Sequence, residues 1–181
     1  MAQDSGVLRF CNAEGQPCYV ITDNARRAAE IRRIDRGTFR GGMKAFPLTG
    51  VDKAWLPGAD ALRHLSPETS VLLVEGATDL LTAFHLISRY QQTTGPHASP
   101  WHPVAALGAG CRRVDPQCAD LLRGRNVRLV PDGDDAGDRM ADHWLHLLTT
   151  EAACTLDIAR VPRGTDLTDI SSQLTPDELF A

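Results

Sequence analysis

The architecture of this 181-residue chain is set by the segment Val127-Arg128-Leu129-Val130-Pro131-Asp132-Gly133-Asp134-Asp135-Ala136-Gly137. A short apolar run ends at Val130, and two carboxylates, Asp132 and Asp134, follow it with one glycine between them. This order is typical of a buried strand that ends in a polar turn before a helix. Because a turn at Gly133 lets both carboxylates face one cleft, the segment predicts a divalent-cation site at a strand end.

A second apolar run ends in the same way. Val71-Leu72-Leu73-Val74 is followed directly by Glu75. In an open parallel α/β sheet, ligands collect at the carboxyl ends of the strands, so Glu75 is expected to face the same cleft as Asp132 and Asp134. Mg²⁺ suits such a cleft because it takes one or two carboxylates and fills its other positions with water and substrate phosphates. Glu75 is then a candidate either for binding the metal or for exchanging a proton.

The Asp-rich turn also fits other interpretations to different degrees. An EF-hand loop requires an oxygen ligand at its fifth position and a bidentate Glu at its twelfth, where this chain has Ala136 and His143. A phosphatase with a phosphorylated Asp nucleophile also places Asp-x-Asp after a strand, but it leaves Glu75 without a role. The remaining alternative is a polar turn that caps the next helix, because Asp134 and Asp135 are both good N-cap residues.

Three motifs together resemble a known family. Glu75-Gly76-Ala77-Thr78-Asp79 follows one strand, Gly108 follows the next, and Asp132-Gly133-Asp134-Asp135-Ala136-Gly137 follows the third. This set resembles the Toprim domain, the metal-binding catalytic domain of DNA primases, of type IA and type II topoisomerases and of some small nucleases. The resemblance spans roughly Val71 to Ile170 and is closest to the primase-like members.

The resemblance implies a role for each matching acid. Glu75 is implied to be the general acid or base and to contribute to the metal cluster, and Asp132 and Asp134 are implied to bind Mg²⁺ or Mn²⁺. Asp79 would assist the metal cluster, and Asp166 would match the acid that follows the fourth strand. The chain departs from the family pattern at Thr165, where primases usually have Lys.

Basic residues are concentrated in one segment of a chain whose net charge is -4. Between Arg26 and Lys53, eight Lys and Arg residues face three Asp and Glu residues, so this segment carries a net charge of +5. A basic stripe beside an acidic metal cleft would suit a phosphodiester substrate, although it also fits an ordinary solvated surface. The candidate phosphate or nucleic-acid contacts are Arg32, Arg33 and Lys44 in this segment, and Gly108, Arg112 and Arg113 around the glycine turn Gly108-Ala109-Gly110.

The chain divides into two parts by pattern. We predict a basic, β-rich N-terminal extension over residues 1–65 and a Toprim catalytic domain over residues 66–181. The extension contains a β-hairpin, with strands Val7–Phe10 and Cys18–Thr22, and an apolar segment, Ala28–Ile34, that periodicity leaves open between helix and strand. The later strands are predicted at Val71–Val74, Val104–Leu107, Val127–Val130 and Thr155–Val161, and the helices at Asp79–Tyr90, Asp115–Leu122 and Ala136–Thr149. Strands that alternate with helices over short connections predict an α/β fold with a Rossmann-like parallel sheet flanked by helices.

These observations bound the expected function. The resemblance implies Mg²⁺-dependent nucleotidyl transfer as in DNA primase, with DNA or RNA and nucleoside triphosphates as partners and a replicative helicase as a further one. A metal-dependent nuclease would use the same carboxylates, and a non-catalytic nucleic-acid-binding module also stays open. The five cysteines suggest reduced thiols in the cytoplasm, and no apolar run reaches the roughly 18 residues of a membrane span.

Overall fold

A computed structural model describes residues 2–3, 5–23, 25–48, 50, 54–95, 100–108 and 110–180. Ala109 of the predicted glycine turn lies outside these ranges, as do Asp52 and Lys53 at the end of the basic segment. Within the described ranges, no helix is both long enough and apolar enough to cross a membrane.

The N-terminal part forms an antiparallel sheet of four strands in the order β1-β2-β3-β4. These strands are β1 (Leu8–Ala13), β2 (Gln16–Thr22), β3 (Ala29–Arg33) and β4 (Ala45–Pro47). The hairpin is confirmed, but its turn is tighter than predicted because Glu14 and Gly15 alone connect the strands, both at positive φ. That conformation is typical of a two-residue turn that matches the twist of its strands. The ambiguous segment is a strand, since β3 pairs with β2 on one side and β4 on the other.

The second part is built on a parallel sheet of four strands in the order β6-β5-β7-β8. Its strands are β5 (Ser70–Val74), β6 (Trp101–Ala105), β7 (Asn126–Val130) and β8 (Thr155–Ile158). The long helices are α1 (Ala77–Thr94) after β5 and α3 (Asp135–Glu151) after β7, with α2 (Pro116–Leu122) before β7. Two short helices follow β8, α4 (Leu167–Ile170) and α5 (Pro176–Phe180). The predicted α/β fold is confirmed, and the carboxyl ends of β5 and β7 are neighbours in the sheet.

One hydrophobic core joins the two sheets. All five residues of β5 are buried, and the core around them includes Val7 just before β1, Ile21 from β2 and Trp55 from the connecting segment. Arg27 strengthens this junction, since its guanidinium lies 3.1 Å from the centre of the Trp55 ring and pairs with both Asp23 and Asp60. The antiparallel sheet is therefore packed against the parallel part, while the division at residue 65 stays a prediction.

Candidate functional site

The first two acids of the predicted cluster lie at the ends of adjacent parallel strands. Glu75 follows β5, Asp132 follows Pro131 at the end of β7, and these strands pair in register from Val71–Val127 to Val74–Val130. The backbone N–H of Asp132 donates a hydrogen bond to Glu75 Oε2 over 3.2 Å. Glu75 is buried, with 6% of its surface exposed. The two strand ends therefore meet, as predicted.

Negative charge accumulates around Asp132. Burial, followed by the charges of Glu75, Asp79, Asp166 and Asp134, raises the pKa of Asp132 to about 7. A carboxyl group with this many acidic neighbours resists ionisation because each neighbour disfavours the charged form. The structure thus brings the five acids named from the sequence into electrostatic contact, while their individual roles stay predictions.

Asp79 lies inside the first turn of α1 and is held by a residue that the sequence did not single out. Its Oδ1 accepts hydrogen bonds from the backbone N–H and the hydroxyl of Thr168, at 3.1 and 2.8 Å. The Thr168 hydroxyl also lies 2.9 Å from that of Thr82 on α1. Burial is the main reason that the pKa of Asp79 is raised, and Arg32 from the N-terminal sheet opposes this shift. Thr168 is therefore a positioning residue for the buried Asp79 carboxylate.

Asp134 and Asp166 both cap helices. Asp134 is the N-cap of α3, and its Oδ1 accepts hydrogen bonds from the N–H groups of Ala136 and Gly137, each at 2.8 Å. Asp166 caps α4 in a reciprocal capping box with Asp169. Two acids three residues apart, with Leu167 directly after the first, resemble the capping-box signal, so this feature could be read from the sequence. The cap interpretation of the Asp-rich turn is correct for Asp134, and it engages only one of the two carboxylate oxygens.

The two glycines of the Asp-rich motif are required by close backbone contacts. A Cβ at Gly133 would lie 2.1 Å from the carbonyl oxygen of Pro162, and the Gly133 N–H donates to the Thr165 carbonyl oxygen over 2.8 Å. A Cβ at Gly137 would lie 2.1 Å from the carbonyl oxygen of Asp132. Gly133 therefore serves to admit the loop that carries Asp166 rather than to loosen the turn.

The carboxylate oxygens of this acidic cluster are ligands of the kind that a hard divalent cation prefers. Within the described residues, no three acidic, His or Cys side chains are already arranged as a metal cluster. Mg²⁺ needs only one or two protein carboxylates, since water and phosphates complete its shell. The groups that would hold Mg²⁺ are the carboxylate of Asp132, which is surrounded by other acids, and the second carboxylate oxygen of Asp134.

A basic cleft opens beside this cluster, on the side of the N-terminal sheet. Its cavity of about 420 Å³ is lined by Arg32, Arg33 and Lys44 from the N-terminal part and by Asp166 and Thr168 from the second part. We call this feature the basic cleft. Tyr19 also lines it, and the Tyr19 hydroxyl lies 3.2 Å from that of Thr78 at the start of α1.

The arginines of the basic cleft are partly committed to ion pairs. Arg32 pairs with Glu30 at 2.8 Å, and Arg33 pairs with Asp35 at 2.5 Å, which lowers the pKa of Asp35 to about 2. Lys44 is exposed. The three predicted contacts of the basic segment thus share one cavity, which Asp166 of the acidic cluster also lines.

The remaining predicted contacts lie after β6. Gly108 has a φ of +89° and donates its N–H to the carbonyl oxygen of Glu75 over 2.9 Å, so the glycine turn is attached to the acidic strand end. Arg112 and Arg113 follow it as exposed residues. Arg112 lines a separate cavity beside α3, together with Arg139 and His143, which the sequence did not single out.

A family model described as Toprim-like matches residues 72–171. The match covers more than half of the chain, and the chain belongs to this family. Among solved structures, it is similar to a structure described as the DnaG catalytic core, with a TM-score of 0.57 and 19% identity over 98% of this chain and 56% of that one. It is also similar to the E. coli primase catalytic core, with a TM-score of 0.53 and 20% identity over 98% of this chain and 57% of that one.

These similarities define the fold as that of the primase-like members of the family. The chain spans less than two thirds of either primase core. No curated protein matches it at a significant level.

Proposed function

We propose that this chain is a catalytic domain of nucleic-acid metabolism that performs Mg²⁺-dependent nucleotidyl transfer in the manner of a DNA primase. The observation that carries the proposal is the position of the basic cleft, whose arginines share a cavity with Asp166 of the acidic cluster, while Arg32 lies within electrostatic range of Asp79. A phosphate chain bound by cations in the cleft would place its reacting phosphorus beside these acids.

The charges of the two surfaces suit a phosphate substrate and a divalent cation. Arg32 reaches from β3 to within electrostatic range of Asp79, so the positive and negative surfaces meet at this pair. Guanidinium groups bind phosphate oxygens in a planar, bidentate manner, which orients the substrate as well as attracting it. DNA or RNA and nucleoside triphosphates are therefore the proposed partners, and a replicative helicase remains a predicted one.

Asp132 and Asp134 are the proposed ligands of Mg²⁺, which when bound supplies electrostatic stabilisation of charge on the transferred phosphoryl group. Glu75 is the proposed group that moves a proton at the attacking or leaving oxygen. Its hydrogen bond from the backbone N–H of Asp132 supports this proposal, because it keeps the Glu75 carboxylate beside the proposed metal ligands. Thr168 and Gly133 hold the neighbouring Asp79 and the loop before Asp166 in position.

The similarity to primase cores includes the N-terminal sheet as well as the Toprim-like part. Both structural matches extend over 98% of this chain, whereas the family model covers only residues 72–171. The basic cleft is built by the N-terminal sheet, so the part that supplies its cations is shared with those cores. This supports polymerisation over cleavage as the proposed reaction.

The test is a denaturing gel of the purified protein with end-labelled single-stranded DNA, nucleoside triphosphates and Mg²⁺ or Mn²⁺. Products longer than the labelled DNA strand are expected for the wild type. Glu75→Gln is expected to lose about 10²- to 10⁴-fold in rate, the usual contribution of a general acid or base. The matched control is Glu151→Gln, the same chemical change at an exposed position at the end of α3.

The gel separates the three candidate functions. Shorter products that disappear with Glu75→Gln would replace the polymerase by a metal-dependent nuclease. Unchanged DNA under both metals, with binding retained in a mobility shift, would make the chain a non-catalytic binding module. Full activity of Glu75→Gln would remove Glu75 from the proposed proton transfer.

A further inference from the structure

A second basic cavity lies between the loop after β6 and the first half of α3. Its volume is about 440 Å³, and Gly110, Arg112, Ala136, Arg139 and His143 are among the residues that line it. We call this cavity the α3 pocket. It is distinct from the basic cleft, which is lined by β3, α1 and the residues around α4.

The strand order places the α3 pocket and the basic cleft on opposite faces of the parallel sheet. From β5 the chain crosses to β6 in one direction, and from β7 it crosses to β8 in the other. Because such crossovers are right-handed, helices that connect strands in opposite directions pack on opposite faces. Helix α1 therefore covers the face of the basic cleft, α3 covers the other, and the acids at the strand ends lie between the two cavities.

The loop of the α3 pocket is fixed to α3 by two side chains. His143 Nε2 lies 2.7 Å from the carbonyl oxygen of Arg112, and Trp144 Nε1 donates to the carbonyl oxygen of Cys111 over 3.1 Å. Trp144 is fully buried in the core. The backbone that carries Arg112 is thus fixed against α3 before a ligand binds, which reduces the conformational entropy lost on binding.

Two guanidinium groups supply the positive charge of the pocket. Arg112 and Arg139 are exposed, and neither forms an ion pair with another described residue. The arginines on the other side of α3 differ, since Arg160 and Arg163 both pair with Asp138. A pair of uncompensated arginines at a preformed concave site favours a phosphate group, which accepts their parallel N–H donors.

The pocket is also connected to the acids through the backbone. The Cys111 N–H donates to the Gly108 carbonyl oxygen, and the Gly108 N–H donates to the Glu75 carbonyl oxygen, both at 2.9 Å. On the helix side, the N–H of Ala136 donates to the Asp134 carboxylate. The residues that line the α3 pocket are therefore linked by hydrogen bonds to the backbone of Glu75 and to the side chain of Asp134.

We infer that the α3 pocket is a second phosphate subsite, in which Arg112 and Arg139 bind a phosphate group of the same substrate on the far side of the acids from the basic cleft. This inference rests on the proposed function. The phosphate belongs either to a nucleoside triphosphate or to the backbone of a nucleic acid that passes across the acids. His143 and Trp144 act as positioning residues for the loop.

The experiment has two arms on the full chain in EDTA. One arm measures ATP binding by calorimetry, and the other measures binding of a fluorescent 5′-hydroxyl dT12 by anisotropy over a range of salt concentrations. The Arg112→Gln/Arg139→Gln double variant is expected to weaken binding about 10-fold or more in the arm that supplies the phosphate. If that arm is dT12, the slope of log K against log salt should also fall by about 0.7 for each lost contact.

Two reference variants accompany the double variant. Arg123→Gln removes an exposed arginine that pairs with Asp120 at the end of α2, and it should bind within about twofold of the wild type. Arg32→Gln tests the basic cleft independently. A loss with the double variant in the ATP arm alone identifies a triphosphate, and a loss in the dT12 arm alone identifies a nucleic-acid backbone.

The outcomes distinguish the inference from the proposed function. If the double variant matches the wild type in both arms while Arg32→Gln binds more weakly, the α3 pocket is not a phosphate subsite and the proposed function stands. If the wild type binds neither ATP nor dT12, both are overturned.

Discussion

The backbone N–H of Asp132 donates a hydrogen bond to the side chain of Glu75, 57 residues earlier in the chain, over 3.2 Å. This contact joins the ends of two adjacent parallel strands, β5 and β7, at the level where each leaves the sheet. It also keeps the two carboxyl groups close enough for the charge of Glu75 to raise the pKa of Asp132. The protein thus holds acidic groups in a position that costs stability without a cation, which is typical of sites selected for function.

The first prediction concerns Asp132→Asn and pH. The pKa of Asp132 is raised to about 7 in the folded chain, from an ordinary value of 3.8, so between these values the folded state holds a proton that the unfolded state has lost. Stability therefore falls as pH rises through this range. Asn does not ionise, so Asp132→Asn should stabilise the metal-free protein at pH 8 by about 1–2 kcal/mol, allowing for partial exposure, and by little near pH 4.

Urea unfolding in EDTA at several pH values measures this effect. Asp120→Asn, at an exposed position on α2, is the matched control and should show no such pH-dependent gain. Equal stability of wild type and Asp132→Asn at pH 8 would mean that burial and the acidic neighbours do not raise the pKa of Asp132.

The second prediction concerns Thr168→Val, which keeps the shape of the side chain and removes its hydroxyl. Asp79 is buried and would lose one of two hydrogen bonds to its Oδ1, and Thr82 would lose its partner on α4. A buried carboxylate that loses a hydrogen bond should destabilise the fold by about 1–3 kcal/mol. Because the pKa of Asp79 is already raised and would rise further, the loss should grow with increasing pH.

Thermal unfolding by circular dichroism at low and high pH measures the loss. Thr168→Ser, which restores a hydroxyl, should recover much of it, and Thr149→Val on the exposed face of α3 provides the matched control. A Thr168→Val protein as stable as the wild type at high pH would show that the hydroxyl does not support Asp79.

The parallel sheet and the placement of its acids were predictable from local pattern. Apolar runs at Val71–Val74 and Val127–Val130 end in acids, and the periodic segments after them are the helices α1 and α3. Strand ends in a parallel sheet share one edge, so the meeting of Glu75 and Asp132 followed from topology.

Other features depend on contacts between distant parts of the chain, which local pattern does not record. Ala29–Arg33 is a strand because β2 and β4 flank it, although its periodicity also fits a helix. Thr168 binds Asp79 from a position 89 residues away, and Arg139 meets Arg112 only once α3 has packed beside the loop after β6. The sequence predicts a loose turn at Gly133, because it does not show the close approach of the Pro162 carbonyl oxygen.

The third prediction concerns Gly137→Ala. In an exposed helix, Ala is more favourable than Gly by about 1 kcal/mol, so the change would ordinarily stabilise α3. Here the new Cβ would lie 2.1 Å from the carbonyl oxygen of Asp132, which is backbone and cannot rotate away. We expect Gly137→Ala to destabilise the protein by about 2–3 kcal/mol and to weaken Mg²⁺ binding, because Asp132 must move.

Gly110→Ala is the control for this substitution, since a Cβ at Gly110 meets nothing within 4 Å. It should change the free energy of unfolding by less than about 0.5 kcal/mol. Chemical denaturation compares the two variants, and a stabilised Gly137→Ala protein would contradict the close approach of α3 to Asp132.

The last prediction concerns Arg27, which joins the N-terminal sheet to the segment before β5. Its guanidinium pairs at 2.8 Å with Asp23, whose side chain is fully buried, and at 2.8 Å with Asp60, and it stacks on Trp55. Removing one member of a buried ion pair leaves the other charge uncompensated, so Arg27→Gln should destabilise the fold by about 3 kcal/mol.

Because both sheets contribute to one core, the loss should appear as a shift of a single unfolding transition rather than as separate melting of the N-terminal part. Tryptophan fluorescence, which reports on Trp55 together with Trp101 and Trp144, and far-ultraviolet circular dichroism should then give coincident curves in urea. Arg123→Gln, which breaks an exposed pair with Asp120, should change stability by no more than about 0.5 kcal/mol. Two separate transitions in Arg27→Gln would instead show that residues 1–65 and 66–181 unfold independently, as the predicted domain division allows.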